Sequence, residues 1–109
     1  MSNINEIIRR YALMRISKIF NIQVESLTNK SRFGEELKVS FVSDFRYNEF
    51  DQVDDDIHSV ADRRISKEMS AGMLIIGTVG DYCEHMVRCY KTKPNDVKEV
   101  LGILKIEDK

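Results

Sequence analysis

The stretch NEFDQVDDDIHSVADRRI, residues 48–65, combines a dense run of carboxylates with apolar residues at helical spacing. The apolar residues recur every three or four positions, so a helix would place them on one stripe; they are Phe50, Val53, Ile57, Val60 or Ala61, and Ile65. Asn48 is a predicted N-cap, and Asp51 lies three residues later, where a capping box requires an acidic partner. The pattern therefore predicts an acidic helix with one apolar face against a core.

The carboxylates of this helix are predicted to lie mostly on the opposite, outward face. The candidate partner-binding residues are Glu49, Asp51, Asp54, Asp55 and Asp56. An acidic face of this kind suggests docking on the basic surfaces of other proteins. A charged face that only keeps the helix solvated explains the same run of residues, and the sequence leaves both interpretations open.

Charge is distributed unevenly along the chain. Residues 35–62 contain nine acidic and two basic residues, a net charge of −7, although the whole chain carries only −1. Residues 1–20 contain four basic residues and one acidic residue. An acidic face repels nucleic acid, and no other stretch is basic enough to require it, so no nucleic-acid partner is expected.

The length of 109 residues predicts one domain, residues 1–109, with a modest core. The longest apolar run, Met73 to Ile76, is too short to cross a bilayer, and the first residues lack the features of a signal peptide. A cytoplasmic protein is expected. Cys83 and Cys89 lie six residues apart in a predicted helix, a spacing that indicates neither a disulfide nor a metal site.

The remaining pattern is helical. Apolar stripes predict a first helix over Ile4–Phe20, followed by a loose polar connection over residues 21–36. Apolar and polar residues alternate weakly over residues 38–45, as in a strand, but no second strand is evident for it to pair with. An irregular or helical segment leading into the acidic helix is therefore predicted. The pattern of residues 65–71 predicts a short helix that ends at Gly72.

The last two helices have clear start signals. Thr78 is a predicted N-cap with Asp81 three residues later, before an apolar stripe that continues to Tyr90. Pro94 suits the first turn of a final amphipathic helix. His58 and His85 have no triad or metal spacing around them and are interpreted as solvated or capping residues. No nucleophile with a base, metal cluster or phosphate loop is visible, so an enzyme is not expected.

The order of these segments resembles the acyl carrier protein family over about residues 8–87. Residues 16–22 (ISKIFNI), 25–27 (ESL) and 31–37 (SRFGEEL) are similar to the exit of the family's first helix and its approach to helix two. Residues 78–82 (TVGDY) are similar to the start of the family's last helix. The acidic helix fits the family's second helix. The extension of residues 91–109, with its additional helix, lies beyond the resemblance.

The resemblance implies an all-α, four-helix bundle that carries acyl chains as thioesters on a 4'-phosphopantetheine arm, as in lipid or polyketide biosynthesis. It also implies two classes of partner: a phosphopantetheinyl transferase, and acyl-transfer or synthase enzymes whose basic surfaces read the acidic helix. In the family, the arm is attached to the serine of an Asp-Ser-Leu motif at the start of helix two. No Asp-Ser-Leu occurs in this sequence.

Two alignments of the attachment position are possible. Counting from Leu37 places the family's serine near Ser40, which is the candidate phosphopantetheine-bearing residue; an unmodified polar loop residue is the other interpretation. Counting from the acidic helix places Glu49 at the serine position, and a carboxylate cannot act as the hydroxyl nucleophile. The leading hypothesis is an acyl-carrier-like protein, and the alternative is a degenerate carrier fold without the arm that acts as a protein interaction module.

Overall fold

The computed structural model of the chain describes residues 4–33 and 49–103. The described part contains no strand; its elements are α1 (Ile4–Phe20), a short 3₁₀ helix (Val24–Ser26), α2 (Glu49–Val60), α3 (Arg63–Ser70), α4 (Val79–Tyr90) and α5 (Pro94–Leu101). The predicted all-α class is confirmed for these described residues. Ser40, Asn48 and the segment of residues 38–45 lie outside the described residues.

Helix α4 is the central element and packs against α1, α2 and α5. Its buried face includes Val79, Tyr82 and Met86, none of which is accessible to solvent. Helix α1 has the predicted bounds, and its buried residues recur at the spacing of one helical stripe; they are Ile8, Ala12, Ile16 and Ile19. The two helices thus form the core on which α2 and α5 rest.

The predicted cap of α4 is confirmed. The hydroxyl of Thr78 accepts a hydrogen bond from the Asp81 backbone N–H at 3.1 Å, and the Asp81 carboxylate accepts one from the Thr78 N–H at 3.2 Å. The loop that contains Asn29, which follows the 3₁₀ helix, is attached to the start of α4, because the Gly80 N–H donates a hydrogen bond to the Asn29 carbonyl at 2.9 Å. A Cβ on Gly80 would lie 2.8 Å from that carbonyl oxygen, so the contact requires glycine.

The predicted acidic helix over residues 48–65 is in fact two helices. Helix α2 ends at Val60, and α3 begins at Arg63 after Asp62, whose side chain accepts a hydrogen bond from the Ile65 N–H at 2.9 Å. Asp62 is thus an N-cap that satisfies a backbone donor which a continuous helix would have bonded internally. Gly72 has a left-handed conformation, φ 75°, just beyond α3, as predicted.

Helix α5 also agrees with its predicted start. Pro94 lies in the first turn, where its missing N–H costs no internal hydrogen bond, and Gly102 ends the helix with φ 73°. Val97 and Leu101 of this helix are buried. Within the described ranges, no helix combines the length and the apolar character needed to cross a membrane.

Candidate functional site

Helix α2 is fixed to the bundle by its apolar stripe. Val53, Ile57 and Val60 are buried, and the ring of Phe50 lies 5.9 Å from the ring of Phe20 on α1. The predicted apolar face of the acidic helix is therefore confirmed for these residues. The side of α2 that carries Asp51, Asp54 and Asp55 is exposed, so it is accessible to solvent or to a partner.

Three of the five candidate partner-binding carboxylates are exposed as predicted. Asp51, Asp54 and Asp55 lie on the open side of α2, and Glu49 is half-buried at its start. His58 shares this side and is exposed; its Nδ1 lies 2.8 Å from the Asp54 carbonyl oxygen and 3.5 Å from the Asp54 carboxylate. These four acidic side chains form what we call the acidic face, defined as Glu49, Asp51, Asp54 and Asp55.

The prediction that Asp56 points outward is wrong. Only 6% of Asp56 is exposed, and its carboxylate receives two hydrogen bonds from the Arg15 guanidinium, at 2.9 and 3.1 Å. The hydroxyl of Tyr82 donates a third, at 2.8 Å. A buried carboxylate persists only when it is paired and hydrogen-bonded, and these two partners supply both conditions.

The buried network of Arg15, Asp56 and Tyr82 joins α1, α2 and α4. The hydrogen bond to Asp56 raises the pKa of Arg15, so the guanidinium stays charged. Burial, reinforced by the negative charge of Asp56, raises the pKa of Tyr82, so the phenol keeps the proton that it donates. The network orients α2 and so determines which of its carboxylates belong to the acidic face.

His85 is buried, so it is not the solvated residue that was one of its two interpretations. Its Nε2 donates a hydrogen bond to the Ile57 carbonyl at 2.9 Å, which ties α4 to α2 by a second contact. Its Nδ1 is buried and has no hydrogen-bond partner in the described part of the chain. Burial lowers the pKa of His85, which keeps the imidazole neutral near pH 7.

The two cysteines are free and buried. The Sγ of Cys89 lies 3.5 Å from Nε2 of His85, but that nitrogen uses its proton for the Ile57 carbonyl. Burial raises the pKa of Cys83 and of Cys89 to about 11. Both residues are therefore protonated thiols in the core, and the Cys89–His85 contact lacks the thiolate that a nucleophile needs.

A cavity of about 280 Å³ lies between α2 and α3, beside the acidic face. Its polar lining residues are Asp54, His58 and Ser70, and its apolar lining residues are Ile57, Met69, Leu74 and Ile76. No group of three or more potential metal ligands occurs among residues 4–33 and 49–103. The site thus offers carboxylates for recognition and a partly apolar recess.

The residues that reasoning from sequence missed are those of the buried network. Asp56 lies three residues after Val53 and four before Val60, so helical spacing alone places it on the buried stripe, which was the available signal. Nothing in the sequence points to Arg15, which is 41 residues away.

Comparison of the chain with protein-family models, curated proteins and solved structures finds no match.

Proposed function

We propose that this chain is an acyl-carrier-like protein that presents a thioester-linked group, such as an acyl chain, to partner enzymes. The observation that carries the proposal is the acidic face: a row of carboxylates on the open side of a helix whose other side is anchored in a helical bundle. Anchoring matters because a docking surface with fixed geometry loses little conformational freedom when a partner binds.

The partners proposed for this face are basic surfaces of acyl-transfer or synthase enzymes and of a phosphopantetheinyl transferase. Complementary charge speeds the encounter of two proteins and sets their relative orientation. Asp51, Asp54 and Asp55 are exposed and provide such a surface, whereas Asp56 is buried. The chain's own contribution is thus recognition, and a carrier protein requires no catalytic group of its own.

A 4'-phosphopantetheine arm on Ser40 is part of this proposal, and the thiol of that arm would supply the thioester chemistry. The lining of the recess beside α2 indicates what kind of thioester-linked group the recess would accommodate. Ile57, Leu74 and Ile76 line part of it, which suits an apolar chain, while Asp54 and His58 make another part of its lining polar. The recess could therefore shelter a short apolar group with a polar end near the acidic face.

The alternative proposal is a carrier fold without the arm that binds a basic protein through the same face. One observation favours it: Phe50 packs against Phe20 and Val53 is buried, and these are the apolar positions of the alignment that puts Glu49 at the family's serine position. A carboxylate there removes the hydroxyl nucleophile. In this case the acidic face would be the whole functional site.

Intact mass measurement separates the two proposals. The chain is incubated with coenzyme A and a broad panel of phosphopantetheinyl transferases, and its mass is compared with that of a Ser40→Ala variant treated in the same way. Addition of one arm to the native chain, but not to the variant, is the result expected for a carrier. An unchanged native mass with every transferase refutes the carrier and supports the interaction module.

The role of the acidic face has its own test. If the arm is added, Asp51→Lys together with Asp54→Lys should slow the loading rate about tenfold or more at low salt, because steering by opposite charges is lost. Glu6→Lys together with Glu25→Lys is the matched control, since both residues are exposed acids outside α2. Equal slowing in both double variants would show that only net charge matters.

A further inference from the structure

The segment between α3 and α4 exposes two large apolar side chains. Met73 is 79% exposed and Ile75 is 77% exposed, about twice the exposure of Met14 or Ile22. Leu74 and Ile76 instead pack partly buried against the core. Exposure therefore alternates along residues 73–76, and Met73 and Ile75 are the two that face solvent.

A positively charged groove lies next to Met73. Its volume is about 580 Å³, and its lining includes Arg63, Arg64 and Lys67 together with Met73. The three basic side chains are exposed, and no ion pair among the described residues involves any of them. We call the five residues Arg63, Arg64, Lys67, Met73 and Ile75 the basic–apolar patch.

Nearby carboxylates reduce the positive charge of this patch but do not cancel it. Glu68 also lines the groove, but both of its oxygens accept hydrogen bonds from Arg88, at 2.8 and 2.6 Å. Asp62 accepts hydrogen bonds from the Ile65 N–H and from the Thr92 hydroxyl, both at 2.9 Å, and its single negative charge is outnumbered by the three cations of the patch. The groove and the recess beside the acidic face share no lining residue, so the two charged surfaces are separate.

We propose that the basic–apolar patch docks the protein on the surface of an anionic lipid bilayer. The cations would contact headgroup phosphates and carboxylates, while Met73 and Ile75 enter the interface between headgroups and acyl chains. The exposure of the two apolar side chains favours a bilayer over an acidic protein. They project outward from the chain, and a bilayer interface surrounds a projecting side chain on all sides.

Reversible attachment follows from the composition of the patch. Stable membrane attachment needs both apolar insertion and electrostatic attraction to anionic lipids. This patch has both, but two apolar residues and three cations make each contribution small. The acidic face is expected to point away from the bilayer, since its carboxylates would be repelled by anionic headgroups. This inference does not depend on the carrier function, because the patch contains neither Ser40 nor any residue of the acidic face.

Vesicle flotation tests the proposal with the full chain. Phosphatidylcholine vesicles with and without phosphatidylserine are compared at low salt, using the native chain and two double variants, Arg63→Glu with Arg64→Glu and Met73→Ser with Ile75→Ser. The native chain is expected to bind the vesicles that contain phosphatidylserine and not those that lack it. Each double variant should lower the partition coefficient about tenfold or more.

Matched controls carry the same chemical changes elsewhere on the surface. Arg10→Glu with Lys30→Glu reverses two exposed cations, and Met14→Ser with Ile22→Ser removes two exposed apolar side chains. These variants should bind the vesicles almost as well as the native chain. Failure of the native chain to float with anionic vesicles overturns the proposal, as does equal loss in patch and control variants. Salt-sensitive binding to an acidic amphipathic peptide without flotation would overturn it in favour of a protein partner.

Discussion

The substitution Asp56→Ala is expected to destabilise the fold more than any other change to a carboxylate of α2. The substitution removes the acceptor of three hydrogen bonds, two from Arg15 and one from Tyr82. It leaves the Arg15 guanidinium without a counter-ion and the Tyr82 hydroxyl buried without an acceptor. The consequence is a loss of the contacts that hold α2 against α1 and α4.

The magnitude follows from the burial of the two partners. Breaking a buried ion pair by removing one member costs about 3–5 kcal/mol, and a buried hydroxyl left without a partner costs about 1 kcal/mol or more. The side chain of Arg15 is 27% exposed, so water can solvate part of its charge, which favours the lower end of the first range. We expect a total loss of about 3–4 kcal/mol, a large share of the stability of a domain of this size.

Urea unfolding followed by circular dichroism measures this loss directly. Asp54→Ala is the matched control, because Asp54 is on the same helix but exposed, and it should change the free energy of unfolding by less than about 0.5 kcal/mol. Tyr82→Phe removes one of the three hydrogen bonds and should cost about 1.5 kcal/mol. If Asp56→Ala and Asp54→Ala lose equal stability, the buried network does not hold α2.

Three further predictions concern the core and its caps. The free energy of unfolding should fall as pH decreases from 6.5, the ordinary pKa of histidine, towards 4.5, that of glutamate, because the lowered pKa of His85 makes the folded state bind fewer protons than the unfolded state. His85→Gln should remove the slope in this pH range, and an unaltered slope would contradict the prediction. Thr78→Ala should cost about 1 kcal/mol in thermal or urea unfolding, since the Asp81 N–H loses its acceptor, and an unchanged midpoint would contradict the role of the cap. Gly80→Ala should cost about 1–3 kcal/mol in the same assay, because its Cβ meets the Asn29 carbonyl, and a neutral result would show that the loop moves away at no cost.

Much of the fold could be predicted from local signals in the sequence. The bounds of α1, the cap formed by Thr78 and Asp81 and the start of α5 at Pro94 all depend on residues close together in the chain. A cap or a proline acts through its own backbone neighbourhood, so no knowledge of tertiary packing is needed. The break between α2 and α3 had such a signal in Asp62, which the continuous apolar spacing from Val53 to Ile65 obscured.

The candidate site was less predictable, because burial of a polar group depends on distant partners. Asp56 and His85 both lie on the apolar stripes of their helices, and their residue types led to the expectation that they are solvated. Asp56 is buried because Arg15 compensates it, and His85 is buried because the Ile57 carbonyl accepts its proton. Neither partner is adjacent in the chain, so spacing alone indicates burial without identifying the compensating group.

The measurement that tests the proposed function most directly is the location of an added phosphopantetheine within the loaded native chain. Proteolysis and fragmentation of the chain after treatment with coenzyme A and a transferase assign the added mass to one residue. The account predicts that the mass lies on Ser40 and that the bond breaks as a phosphodiester of serine. A loaded residue elsewhere, or no loaded peptide with any transferase, would contradict the account.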